Sequence, residues 1–210
     1  MHTVELNWIT PNAEQVVVDD ARISNPGHEG EAPGRLLGYL IRNQHWSPFE
    51  MVNMSVKVNT TRDIGRQLLR HWTIRPQEFS QRYADIRLIA ESAVLRECRL
   101  QHPTNRQSSL PCDDEKTNLW WEETQREVWE FAVKQYGRAL DRGIAKEVAR
   151  VLMPEGMTPT VMKFNGNLRS WIHFYQLRSG HGTQSEATQI TMQIGDLMRE
   201  HFPNVMEALK

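Results

Sequence analysis

Residues 70–83, Arg-His-Trp-Thr-Ile-Arg-Pro-Gln-Glu-Phe-Ser-Gln-Arg-Tyr, carry the densest set of polar groups in the chain. Arg70, Arg75 and Arg82 offer planar guanidinium forks that match a phosphate, and Ser80 and backbone N–H groups add neutral donors. Such a loop can cradle a nucleotide phosphate; the same composition also suits a solvated helix end with a few ion pairs. A second set lies at residues 165–178. Arg169 and His173 stand four apart and share a helix face, whereas Arg178 is about 2.5 turns beyond Arg169 and projects at another angle. By composition alone this is a helix with a polar face. A third set, Gln44-His45-Trp46-Ser47-Pro48-Phe49-Glu50, leads into a strand, where loops commonly contact ligands. His45 there serves equally well as a surface residue.

The elements that must position these groups are partly visible. Val4, Leu6 and Trp8 alternate with polar neighbours and Val16–Val18 form a short apolar run, so residues 1–23 read as a strand or two. Ser24–Gly34 reads as a loop and Arg35–Gln44 as a short helix. Over Met51–Asn59, Val52, Met54, Val56 and Val58 alternate with polar residues, the pattern of a half-buried strand. Thr60 or Thr61 then caps a helix in which Ile64, Leu68, Leu69 and Trp72 recur at helical spacing. Pro76 breaks that helix or marks the loop after it. Residues 101–117 read as a surface loop. Helices follow over about Asn118–Leu140, closed by Gly143, over Ile144–Leu152, over Leu168–Leu177 and over Glu186–Glu200, the last two separated by the loop Ser179–Gln184. The whole reads as α+β with helices dominating.

The 210 residues suit one domain, residues 1–210, and the apolar content of 39% is enough to build a core. With 25 basic and 26 acidic residues the net charge is −1, which excludes a globally basic nucleic-acid binder. No apolar run reaches the ~18–20 residues that cross a bilayer, and residues 1–10 lack a signal-peptide pattern. The expected setting is the cytoplasm, or the host cytoplasm if the chain is viral. Cys98 and Cys112 fit no zinc pattern and read as reduced and structural; no metal is expected.

Taken together, the segments resemble the signature regions of the flavin-dependent thymidylate synthases. That family's Arg-His-Arg followed by Ser-x-Arg-Tyr stands here as Arg70-His71-Trp72 and Ser80-Gln81-Arg82-Tyr83. Ser47-Pro48-Phe49-Glu50 precedes it at the family's spacing. Ala149-Arg150-Val151-Leu152-Met153-Pro154 and Asn167-Leu168-Arg169-Ser170, continuing to Leu177-Arg178, follow it. Asn105-Arg106-Gln107 is similar to a stretch in one branch. The resemblance runs from roughly residue 3 to residue 203.

The resemblance implies a single-domain subunit with a curved antiparallel sheet flanked by helices. It implies a homotetramer with active sites between subunits and FAD across the interface. By position, Ser47, Arg70, His71, Glu78, Asn167, Arg169 and His173 contact FAD, with Trp72 in the same motif. Gln67, Arg70, Glu78, Ser80, Gln81, Arg82, Arg150 and Arg178 hold a pyrimidine nucleotide, some of them from a neighbouring chain. Arg178 is the catalytic candidate, set against the pyrimidine edge to favour its ionised form. The implied reaction is reductive methylation of dUMP to dTMP, with methylenetetrahydrofolate as carbon donor and NADPH as reductant. Such chemistry needs no side-chain nucleophile, in keeping with cysteines that lie outside every motif block.

Two departures bear on this reading. Trp72 stands where the family has an arginine, and either stacks on a ring or packs under the loop; Arg75 offers a replacement charge. Glu186-Ala187 stands where one branch has Glu-His. Trp72 keeps open the alternative of methylation or hydroxymethylation at carbon 5 of dCMP, UMP or dUMP. A non-catalytic flavin- or nucleotide-binding protein is a third reading, against which retained Ser80, Arg150 and Arg178 argue.

Overall fold

The computed structural model describes residues 2–24, 33–88, 93–180 and 182–210. Four strands form an antiparallel sheet: β1 (Thr3–Ile9), β2 (Asn53–Thr61), β6 (Pro159–Asn167) and β3 (Arg75–Glu78), side by side in that order. A separate hairpin pairs β4 (Arg99–Gln101) with β5 (Ser109–Pro111). The helices are α1 (Ala13–Ile23), α2 (Pro33–Arg42), α3 (Arg62–Leu68), α4 (Glu115–Asp141), α5 (Lys146–Ala149), α6 (Leu168–Arg178), α7 (Ser185–His201) and α8 (Pro203–Ala208). The mixed class, with an antiparallel sheet flanked by helices, matches the expectation. No helix among the described residues is long and apolar enough to cross a membrane.

The alternation in β2 does what it implies. Met54, Val56 and Val58 are fully buried against a layer made by α1, α2, α6, α7 and α8, and Met162 and Phe164 of β6 continue the same face. The opposite face is polar: Lys57 pairs with Glu5 at 3.2 Å, and Lys163 donates to Asn7 Oδ1 at 3.1 Å. Trp171 of α6 reaches through the core and donates from Nε1 to the Met54 carbonyl at 2.9 Å. Gly166 makes that approach possible, since a Cβ there would lie 3.0 Å from Ile74 and 3.3 Å from the Trp171 indole nitrogen. A smaller cluster forms under α4, where Trp129, Ala132, Tyr136 and Ala139 meet Ile86, Ala149 and Met153. Gly143 closes α4 with φ +78. Its N–H donates to Leu140 and that of Ile144 to Ala139, a Schellman pair of bonds.

Several sequence expectations are corrected. Val16–Val18 belongs to α1, because burial of Ala13, Val17 and Val18 at helical spacing outweighs the strand preference of valine. The helix after β2 ends at Leu68, not Trp72. Pro76 lies in β3, an edge strand that among the described residues pairs only with β6, so its missing N–H is tolerated. Residues 101–117, expected as a loop, include the last residue of β4, all of β5 and the first residues of α4. The expected helix over Ile144–Leu152 is the short α5 followed by a 3-10 turn, Arg150–Leu152. The expected loop over Ser24–Gly34 lies, except for its ends, outside the described residues. β6, the strand that joins the halves of the sheet, was not anticipated, and neither was α8.

Candidate functional site

α6 carries the polar groups of the second sequence cluster. Asn167 sits at its N-cap, and its side-chain oxygen accepts from the Ser170 N–H at 2.9 Å, satisfying one of the free donors of the first turn. Leu168, Trp171, Ile172 and Phe174 turn into the core, while Arg169, His173 and Gln176 fall on the exposed face at spacings of four and three. That face forms one wall of a cavity of about 530 Å³. Trp72 and Thr73 close it from the segment before β3. Trp46 and Glu50 close it from the turn before β2, where Glu50 pairs with Arg169. Ser47 stands between those two residues but is exposed and does not line the cavity. The volume and the mixture of indoles, amide and guanidinium donors fit part of a dinucleotide such as FAD: flat apolar surface for rings, and donors for phosphates and ring edges. Trp72 is 75% exposed on this wall, so it does not pack under the loop.

Behind the cavity lies the Arg178–His71 pair. His71 is buried, with its ring 6.3 Å from His173 and edge-on to Phe174 at 4.7 Å. Arg178 donates from Nε to His71 Nε2 at 2.9 Å and from a terminal nitrogen to the Gln67 carbonyl at 3.1 Å. An arginine donor requires an accepting Nε2, so His71 is neutral with its proton on Nδ1. Burial, then the charges of Arg178 and His173, push the His71 pKa down from 6.5 to about 4. The Arg178 pKa is pushed down by burial and by the charge of Arg70. A guanidinium begins so far above neutrality that it stays a cation.

The histidine shift has a consequence for stability. Between about 6.5 and about 4 the unfolded chain takes up a proton that the folded chain refuses at His71. Stability therefore falls as pH falls through that window, by on the order of 2 kcal/mol from this residue. Urea unfolding at pH 7 and pH 4.5 should show the loss. His71→Gln, which keeps an acceptor but does not titrate, should lose about 1–2 kcal/mol less between the same two pH values. Equal losses in both proteins would rule out His71 as the source.

The remaining expected residues fall into two further places. Glu78, at the end of β3, accepts from the Thr160 hydroxyl at 2.9 Å and pairs with Arg62 at 3.1 Å. Ser80, Gln81 and Arg82 follow it, beside α5: Arg82 Nε lies 3.6 Å from a Glu147 carboxylate oxygen, and Arg150 Nε donates to the Glu147 carbonyl at 3.2 Å. Gln81 is buried, and its Nε2 has no hydrogen-bond partner among the described residues. A buried donor left open costs free energy until something accepts from it. The structure thus groups Trp72, Asn167, Arg169 and His173 on one wall, and Gln67, His71 and Arg178 behind it, close to Arg70. Ser80, Gln81, Arg82 and Arg150 form a separate set. No hydrogen bond or ion pair among the described residues links that set to Arg178.

Sequence reasoning did not select the cavity-lining Trp46, Glu50, Ser170 and Gln176, although Gln176 continues the Arg169–His173 helical stripe and was open to detection on that ground. It also missed the chain Gln67–Gln184–Glu186. Gln67 Nε2 donates to Gln184 Oε1 at 2.7 Å, and Gln184 Nε2 to Glu186 Oε2 at 2.9 Å. Glu186 in turn is held by Arg99 at 2.6 Å and Arg96 at 3.6 Å. No local pattern announces such long-range pairs. His45, left open from sequence, is exposed and packs edge-on against Tyr39.

Comparison with known proteins gives the family. A probable flavin-dependent thymidylate synthase of Paramecium bursaria Chlorella virus 1 is 37% identical over 199 residues, covering 94% of this chain and 90% of that protein. A flavin-dependent thymidylate synthase of Synechocystis is 40% identical over 197 residues, covering 94% and 89%. Among solved structures, the UMP/dUMP methylase PolB of Streptomyces cacaoi bound with 5-Br dUMP superposes with a TM-score of 0.87 at 28% identity, covering 99% of this chain and 94% of that one. The profile of the thymidylate synthase complementing protein family matches residues 5–204, and the chain belongs to that family.

Proposed function

We propose that this chain is a flavin-dependent thymidylate synthase, converting dUMP to dTMP with methylenetetrahydrofolate and NADPH as co-substrates. The observation that carries the reading is Arg178, a half-buried permanent cation fixed by two hydrogen bonds. It stands behind a cavity with the donor set of a flavin site. Carbon 5 of a pyrimidine acts as a nucleophile best when the ring carries negative charge, and a preorganised cation at the ring's edge stabilises that ionised form without reorganising. Neutral His71 orients the guanidinium without neutralising it.

FAD, when bound, supplies the redox chemistry. Asn167, Arg169, His173 and Trp72 would hold it with Ser47, Arg70, His71 and Glu78. Ser80, Gln81, Arg82 and Arg150 would bind the nucleotide phosphate, Gln81 offering the open amide donor, and Gln67 would support Arg178 from its carbonyl.

The separation of the Ser80–Arg82 set from Arg178 favours a site completed by a second copy of the chain, in a homotetramer. Exposed apolar residues beside Arg82 and Arg150 support this: Tyr83, Val148 and Val151, the last 81% exposed. Light scattering should return four times the mass of one chain.

The test of function is release of tritium from carbon 5 of labelled dUMP in the presence of FAD, NADPH and methylenetetrahydrofolate. Release with formation of dTMP is the expected result; none from dUMP sinks the proposal. Labelled UMP and dCMP belong in the same experiment, because Trp72 replaces the motif arginine and the PolB structure is that of a methylase acting on both UMP and dUMP. Release from UMP or dCMP alone would establish the alternative.

Trp72 itself is testable. Because its side chain is mostly exposed, Trp72→Arg should change stability by less than about 0.5 kcal/mol. If a charge is what the site lacks, FAD should bind roughly 3- to 10-fold more tightly by flavin-fluorescence titration, the worth of one charge-assisted bond. Weaker binding would instead assign the indole to stacking on the cofactor.

A further inference from the structure

The β4–β5 hairpin and the two cysteines beside it take no part in the reading above. The hairpin register pairs Arg99 with Pro111, Leu100 with Leu110 and Gln101 with Ser109. The ladder ends at Arg99 and Pro111; continued one step outward, its register would set Cys98 opposite Cys112. Directly opposed residues of an antiparallel pair have Cα atoms about 4.5–5.5 Å apart. That lies inside the roughly 4.4–6.8 Å range over which a disulfide closes without backbone movement. Both thiols are free and half-buried. Burial, then the neighbouring Cys112 sulfur, push the Cys98 thiol pKa up, and the Cys112 thiol donates to the Asp114 carbonyl at 3.9 Å. They are the chain's only cysteines.

We propose that Cys98 and Cys112 are a redox-active pair that closes to a reversible intramolecular disulfide, with hydroperoxides as the oxidant. The Cys112 thiolate attacks the O–O bond of hydrogen peroxide, giving a sulfenic acid and releasing hydroxide. The Cys98 sulfur then attacks that sulfenic sulfur, the S–S bond forms, and the sulfenic oxygen leaves as water. In sum, two thiols and one hydrogen peroxide give one disulfide and two waters. Cys98, the thiol that holds its proton more firmly than an ordinary cysteine, is the less suited to the first attack and is left the second, in which its proton departs with the sulfenic oxygen as water.

The bond would clamp the hairpin at its open end. Arg99, next to Cys98, donates to Glu186 at the start of α7. The Cys112 carbonyl accepts from Asn118 Nδ2 of α4 at 2.8 Å. The crosslink would therefore fix the strand that carries Arg99 against the start of α4. The inference rests on the hairpin register and does not depend on the proposed activity.

The test exposes the full-length protein to hydrogen peroxide and follows both cysteines by thiol titration under denaturing conditions. Peptide mass mapping without reductant accompanies it, because the nine methionines also take up oxygen and obscure the intact mass. The expected result is that both thiols disappear together. Residues 98 and 112 should be recovered in one linked species, lighter than the two free peptides by two hydrogens, and dithiothreitol should restore both thiols. Cys98→Ser should leave Cys112 to accumulate oxygen, because its resolving partner is gone. Persistence of both thiols, oxygen accumulating on either cysteine of the unmodified sequence as fast as in Cys98→Ser, or a crosslink between chains would each overturn the proposal.

Discussion

Arg178→Ala is expected to lower turnover of dUMP by about 100- to 1,000-fold, the usual effect of removing one preorganised charge-stabilising group from an active site. The geometry explains why the loss should fall on the chemical step. Arg178 is held by His71 Nε2 and the Gln67 carbonyl, so its charge is in place before substrate arrives. Negative charge that the ring carries only when it ionises to react at carbon 5 is stabilised more in the transition state than in the neutral bound substrate. The loss should therefore appear mainly in kcat. Arg178→Lys keeps a charge but not the planar fork and cannot make both anchoring bonds in the same geometry; it should recover only part of the rate. Thermal unfolding separates this from a folding defect. The alanine variant leaves a buried His71 acceptor open, which costs about 1–3 kcal/mol, but a folded protein with unchanged KM and lost kcat would show that the charge itself matters. Turnover within a few-fold of the unmodified protein would remove Arg178 from the mechanism.

Glu186→Ala should have the largest effect on stability, a loss of about 3–5 kcal/mol in urea unfolding. Glu186 is 5% exposed, yet its carboxylate is ionised. Burial alone would raise its pKa. Its own backbone N–H, the Arg99 bond and the charges of Arg96 and Arg99 outweigh that and hold the pKa below the ordinary value. Removing the carboxylate leaves two largely buried guanidiniums short of a counter-charge and Gln184 without its acceptor. Glu186→Gln, which keeps the shape and one acceptor, should lose less. If the alanine variant loses under 1 kcal/mol, Arg96 must be satisfied by Asp63 and Arg99 by Glu97, its other ion-pair partners. Because Glu186 connects through Gln184 to Gln67, whose carbonyl anchors Arg178, turnover of the folded variants should fall as well.

Where a residue pattern is local and repeated, the sequence is readable. The period-two run in β2 and the period-3.6 runs of α4, α6 and α7 each face one apolar layer, so each announces its own type and buried face. β6 escaped because Lys163, Asn165, Gly166 and Asn167 dilute its apolar alternation. Its place between β2 and β3 follows from pairing with both, which no single segment reveals. β3 escaped because a proline inside four residues reads as a breaker until the partner strand is known.

The sequence by itself determined the family, through blocks of residues at fixed order and spacing, and with it the mixed fold, the candidate cofactor and the identity of the arginines. Only the tertiary structure decided what state those residues are in. His71 is neutral because Arg178, 107 positions away, aims a donor at it inside the core. Glu186 is ionised because the strand at residues 99–101 and the segment before it bring two arginines to the start of α7. Gln81 is a buried open donor and Trp72 an exposed ring although both belong to one motif. Spacing along the chain fixes which side chains share a face. Burial and the distance to a charge arriving from another element set a pKa or leave a donor unpaired, and those exist only once the elements have packed.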